Sequence, residues 1–248
     1  ASRSVPADWN LRWLFRIKAV TLSYSCAPDN RAGSFDMINP GSQNMMIAPV
    51  VKLLLILNIG IFLLQLVAFE RMLVSLALWP LDLSGLAQAY NQPTFHLHQL
   101  LTYGFLHGGF LHLFLNMYAL WLFGTRMELY WGSRDFAIYY LVCVLGAGLV
   151  QLLTSSVSGQ YYPTVGASGG VFGLLLAFGM TFPREVLILI FPPIPIQARW
   201  FVLIYAGIEL WAGVTGTASG IAHFAHLGGM LFGAVLLLLW RRKKGRGY

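Results

Sequence analysis

The chain has 248 residues, 57% of them hydrophobic and only 10% charged, with 16 Lys plus Arg against 9 Asp plus Glu and a net charge of +7. Soluble domains carry about 25% charged residues, so soluble-enzyme, disordered and collagen-like readings are disfavoured and the composition points to a membrane protein, which the apolar stretches below make an all-α one. The basic excess has no polar, aromatic-bearing region to accompany it and reads as membrane topology, with no nucleic acid partner, and Cys26 and Cys143 suggest no disulfide framework.

Residues 1–48 form a polar N-terminal tail with scattered Pro and Gly, marginal for a core of its own. Within it, residues 9–20 either lie on a membrane surface as a short basic amphipathic helix or stay flexible, and no cleavable signal peptide is evident. Residues 50–69 are apolar and make about 30 Å of helix, enough to cross a bilayer. Further apolar stretches run over 111–123, 136–153, 167–182, 200–212 and 225–240. The second and fifth spans cross only by extending into semi-polar flanks or by tilting. Six spans over a core of residues 49–240, with a basic tail at 241–248, put both termini on one side. With that side cytoplasmic, every one of the 16 Lys and Arg except Arg71 falls on it, as the positive-inside rule requires. The 70–106 connection is semi-apolar and is expected to be partly embedded in the outer leaflet.

Polar groups at membrane depth are functional candidates. Spans two, four and six run from outside to inside, which places His112, Asn116, Ser168 and His226 at similar depth in the outer half. Residues 166–170 read GASGG, a literal G-x-S-x-G. The nucleophile elbow, however, needs a preceding strand and a soluble sheet, which YYPTV between two spans does not supply. The glycines then signify close packing: Gly169, Gly173 and Ala177 make a small-xxx-small face, and span six offers Gly229 and Gly233 opposite. Serine and histidine at the ends of two such helices can hydrogen-bond, the minimum for an activated hydroxyl. Taken singly, Ser168 is also an ordinary packing residue and His226 an interhelical hydrogen-bonding one. His112 and Asn116, four apart on one helix face, are donors able to hold an oxyanion or to bond a neighbouring helix.

His107 is expected to shape the turn into span two through backbone bonds, and Glu128 to tie an inner loop with Arg126 by pairing and capping. His223 competes with His226 as the base. Of the carboxylates, only Glu70 and Asp82 are placed on the outer side, and Glu209 lies deep in span five. Neither outer one has a local link to span six, so a Ser-His dyad is expected in place of a triad, its histidine oriented by packing against Phe172.

The set H-x-x-x-x-H-x-x-x-N (His107, His112, Asn116), GASGG (166–170) and AHLGGMLFG (225–233), in that order on spans two, four and six, resembles the rhomboid intramembrane serine proteases. The resemblance implies a six-transmembrane-helix rhomboid-like bundle with cytoplasmic N- and C-termini. Ser168 would be the nucleophile and His226 the general base, with an oxyanion hole of His112, Asn116 and the Ser168 backbone N–H. His107, Gly166, Gly169, Phe172, Gly229 and Gly233 would give structural support. It also implies a serine-type intramembrane endopeptidase without cofactor or metal, with span five as a substrate gate. Its partners would be the lipid bilayer and single-span transmembrane proteins, cut in or near their membrane segments. The expected location is a bacterial plasma (inner) membrane, multi-pass, with the active site toward the outer side. Two positions depart from the family pattern. A Trp-Arg pair common ahead of span two is His98 and Gln99, which leaves the bracing of the first loop open. An aromatic that is commonly Tyr one turn after the nucleophile is Phe172, which keeps ring packing on His226 and loses a hydroxyl bond. Two rival readings are a histidine-based metal site or transporter using His107, His112, His223 and His226, and a non-proteolytic chaperone or binding protein of the same fold.

Overall fold

A computed structural model describes residues 47–82, 85, 87, 91–159, 161–189, 193–217 and 222–244. The predicted amphipathic helix at 9–20 and nearly all of the N-terminal tail lie outside them.

Helix α1, Pro49–Leu76, opens with Pro at its first position, where the missing N–H costs nothing. Its next two N–H groups donate to the Glu128 carboxylate, Val50 to Oε1 at 2.9 Å and Val51 to Oε2 at 2.8 Å, and Ser133 Oγ adds a third bond at 2.6 Å. The anionic side chain satisfies orphan first-turn donors and complements the helix dipole. Glu128 therefore caps as expected, but its partner is the start of α1; Arg126 pairs with Glu185 at 3.2 Å. α1 overruns its predicted end by seven residues, with a non-helical break at Ala68.

A short helix α2, Gln99–Thr102, and a 3-10 turn at Tyr103–Phe105 precede α3, Phe110–Trp131, and the two parts meet at 97°. α3 contains a π-helical stretch at Leu120–Gly124 and extends eight residues past the predicted span, into TRMELYW, the flank that a short apolar stretch needs. The 70–106 connection is fastened where the family's Trp-Arg pair is missing. Gln99, wholly buried, accepts the N–H groups of His96 and Trp79, while His98 Nε2 and Thr102 Oγ1 bond the carbonyls of Ser75 and Leu76 at 2.8 and 2.7 Å. His98 and Gln99 thus brace this loop by tying it to the end of α1.

Helices α4, Ser133–Ser158, α5, Ser168–Thr181, α6, Ala198–Thr215, and α7, His223–Lys244, complete the bundle. α7 carries the first residues of the predicted basic tail as helix. A two-stranded antiparallel hairpin, β1 (Val186–Ile188) with β2 (Pro195–Gln197), joins α5 to α6; it is a small addition to the all-α expectation. α1, α4 and α7 are long and apolar enough to cross a membrane, and α2 with α3 makes a fourth span if the bent pair counts as one. α5 has 14 residues, about 21 Å of helix against a hydrocarbon layer of about 30 Å. It survives at that length because other helices surround it: nearly all of residues 169–179 are buried.

Small residues make that burial possible. A methyl group on Gly229 of α7 would overlap the Gly169 carbonyl of α5, so the two backbones touch there as the glycine pattern predicted. Gly233 faces the Tyr139 ring of α4, so the α7 glycine stripe serves two neighbours where one was expected.

Candidate active site

Ser168 is the first residue of α5, and the chain reaches it through Gly166, whose φ of +131° is a conformation that residues with a side chain avoid. Gly166 N–H donates to the Tyr103 carbonyl at 2.9 Å, and two residues earlier Thr164 pairs with Leu78 through both backbone groups. The turn before Ser168 is thereby held by the braced 70–106 connection. A Cβ on Gly166 would stand 2.9 Å from His112 Cε1, 3.0 Å from His112 Nε2 and 3.4 Å from Ser168 Oγ. Lack of a side chain at 166 therefore lets the His112 ring approach the Ser168 hydroxyl.

His226 lies in the first turn of α7, with Nε2 2.8 Å from Ser168 Oγ. The close passage of α5 and α7 at Gly169 and Gly229 produces this meeting, since each glycine sits within one turn of the side chain it positions. Phe172 lies flat on the imidazole, ring centroids 4.1 Å apart and planes at 6°, as the position one turn after Ser168 suggested. Tyr205 of α6 stacks in turn on Phe172 at 5.2 Å and 14°.

His112 Nδ1 accepts the Gly108 N–H at 3.2 Å. In a neutral ring the proton then sits on Nε2, the nitrogen beside Gly166, so His112 presents a donor toward Ser168. Asn116 is buried one turn further along the same face and donates from Nδ2 to the His112 carbonyl at 2.8 Å, which leaves it a second N–H. The first backbone N–H groups of α5 have no intrahelical partner and add donors at the same end of the helix.

His107 is fully buried, edge-on to His112 at 5.2 Å. Its main chain makes the backbone bonds expected of its ring: His107 N–H donates to Gln65 Oε1 at 2.9 Å, and Gln65 Nε2 donates to the His107 carbonyl at 3.2 Å. This amide clamp from α1 carries no motif and was not foreseen.

The main departure from expectation is Glu209. Its Oε2 lies 2.9 Å from His226 Nδ1 and 2.7 Å from His223 Nδ1, and all three side chains are buried. Ser168, His226 and Glu209 form a chain of contacts where only the first two were expected. His223, the rival for the base, turns its Nδ1 to Glu209 while His226 faces the serine. The sequence held a usable signal, because a carboxylate inside an apolar helix is costly and requires a partner. Oε2 and the histidine nitrogens lie within 4.8 Å of one another, a donor set that a divalent cation could use. This set differs from the four histidines of the metal reading, because His107 and His112 are not part of it.

Residues 94–243 match the Rhomboid domain family. Rhomboid protein 1, mitochondrial, of Saccharomyces cerevisiae is 32% identical over 133 residues, covering 53% of this chain and 38% of that protein. RHOMBOID-like protein 4 of Arabidopsis thaliana is 36% identical over 146 residues, 56% of this chain and 34% of that one. The presenilin-associated rhomboid-like protein, mitochondrial, of Homo sapiens is 29% identical over 152 residues, 56% and 38% of the two chains. The chain thus spans well under half the length of these curated relatives. Two of the three carry a mitochondrial name, and the expected bacterial plasma membrane finds no support among them. With the helices α1, α4 and α7 able to cross a bilayer and more than half of its length matched, this multi-pass integral membrane protein belongs to the rhomboid family.

Proposed function

We propose that the chain is a serine-type intramembrane endopeptidase that cleaves transmembrane segments of single-span membrane proteins. The observation that carries this reading is the 2.8 Å contact between Ser168 Oγ and His226 Nε2, at the end of the bundle where α3, α5 and α7 begin. In this reading α1, α3, α4, α5, α6 and α7 are six spans, both termini are cytoplasmic, and the charge distribution makes the Ser168 end the outer one.

Ser168 Oγ attacks the scissile carbonyl carbon as His226 Nε2 takes the hydroxyl proton. Negative charge moves to the carbonyl oxygen, which receives hydrogen bonds from His112 Nε2–H, Asn116 and the Ser168 backbone N–H. Collapse of the tetrahedral species breaks the C–N bond, and His226 returns its proton to the departing amine. Water then repeats the sequence on the acyl-enzyme and releases the acid.

Purified protein in detergent or liposomes is incubated with a single-span reporter and, separately, with a serine-directed covalent probe. Ser168→Ala is expected to abolish both cleavage and labelling while the protein remains folded. Undiminished cleavage by the variant, or a wild type that neither labels nor cleaves, as the non-proteolytic reading requires, would sink the assignment.

A further inference from the structure

We infer that Glu209, clamped by His223, is a positioning residue for His226: it fixes which ring nitrogen carries the proton and stabilises the imidazolium formed during catalysis. The inference rests on the proposed roles of Ser168 and His226. It starts from what stacking cannot do. Phe172 covers the flat face of the imidazole at 6° between planes, which fixes the plane of the ring and leaves it free to turn within that plane. Stacking is also blind to tautomer. The in-plane contacts are those at Nδ1 and Nε2, and among the described residues only Glu209 and Ser168 occupy them.

A carboxylate oxygen accepts and does not donate. Oε2 at 2.9 Å from His226 Nδ1 and 2.7 Å from His223 Nδ1 therefore requires N–H on both rings. Nε2 of His226 is then the unprotonated nitrogen, and it is the one that faces the Ser168 hydroxyl. The opposite tautomer would point N–H at the serine and leave no base. When Nε2 takes the serine proton, the ring becomes a cation beside the carboxylate; Glu209 keeps its charge, and no second proton transfer is needed.

His223 supplies the remaining constraint. Its Nε2 is buried without a hydrogen-bond partner among the described residues, so its polar contact is the one to Glu209. Two donors converging on one oxygen hold the carboxylate against rotation, and they offset the cost of burying it in an apolar bundle. The assembly places α6 in the mechanism, because α6 must stay seated on α7 for His226 to be oriented.

The experiment compares wild type, Ser168→Ala, Glu209→Gln, Glu209→Ala and His223→Phe in liposomes. Turnover is normalised to folded protein, and the rate of Ser168 labelling by a covalent probe is measured alongside kcat and KM. Glu209→Gln keeps the side-chain volume, so it remains informative if Glu209→Ala does not fold. Both Glu209 variants are expected to lose about 100-fold or more in kcat and in labelling rate, with KM within about two-fold. His223→Phe is expected to lose about 3–10-fold, since one donor to the carboxylate remains. Folded Glu209→Gln with kcat and labelling rate near wild type overturns the inference, as does activity that a chelator abolishes and zinc restores, which would make the trio a metal site. Cleavage by Ser168→Ala equal to wild type overturns the underlying reading instead.

Discussion

Replacing Gly166 by Ala tests how the oxyanion donor is seated. The residue has a φ of +131°, and a backbone conformation of that kind costs a side-chain-bearing residue about 1–3 kcal/mol. The added methyl would also stand 2.9 Å from His112 Cε1 and 3.0 Å from Nε2, where an unstrained carbon contact is about 3.5 Å or more. The ring must then withdraw by about 0.5 Å, and it carries its Nε2–H away from the carbonyl oxygen it is proposed to hold. Misaiming one such donor costs about 10²–10³ in kcat, because the charge it meets develops only in the transition state. Gly60 supplies the control: it lies in α1, and a Cβ there meets nothing within 4 Å. Gly60→Ala should stabilise by about 0.5–1 kcal/mol and leave kcat unchanged. Steady-state cleavage of a membrane-embedded reporter, with thermal unfolding in the same detergent, reads both quantities. Gly166→Ala is expected to lower stability by about 1–3 kcal/mol and kcat by about 100-fold, with KM nearly constant. A folded Gly166→Ala enzyme with wild-type kcat would refute the seating of His112 by that turn.

Glu128→Ala strands two first-turn N–H groups of α1 and the Ser133 hydroxyl; each bond to a charged acceptor contributes about 1.5–3 kcal/mol, so the thermal midpoint should fall by many degrees, and a midpoint equal to wild type would exclude the cap. Phe172→Leu roughly conserves volume, costing under about 1.5 kcal/mol, but removes the flat surface on which His226 rests; kcat should drop at least about ten-fold with near-normal unfolding, and retained kcat would show that the ring is filler only. Gly229→Ala places a methyl against the Gly169 carbonyl, forcing α5 from α7 at a cost of about 1–3 kcal/mol; covalent labelling of Ser168 should fall with it, and full labelling would mean that the Ser168–His226 approach does not depend on this crossing.

Much of the fold was legible because bilayer physics leaves a clear mark. Apolar stretches of about the right length appeared in order, and each became a helix. Boundaries were misjudged where helices run beyond the apolar layer: α1 continues through Glu70 and Arg71 to Leu76, and α3 into TRMELYW. Site glycines were readable for the same reason, since backbone contact between helices tolerates no Cβ. The buried polar clamps, Gln65 on His107, Gln99 on Trp79 and Glu128 on Val50 and Val51, were less so. Each joins residues at least twenty positions apart, and a lone Gln or Glu names no partner until the chain is folded.

Glu209 shows where placing residues by side of the membrane loses information. Sorting by side sets it apart as deep in its span, as if depth separated it from His226. Residues 216–222 join the end of α6 to the start of α7, so the two helices share that end. Glu209 stands six residues before Thr215, the last of α6, which is about 9 Å of rise; His226 stands three residues after His223, the first of α7, which is about 4.5 Å. The remaining difference of about 5 Å is within reach of a glutamate and an imidazole whose helices pack together. Depth measured from a shared helix end, rather than side of the membrane, pairs them. It also explains why a carboxylate survives in so apolar a helix: its Oε2 lies within hydrogen-bonding distance of both histidines of α7.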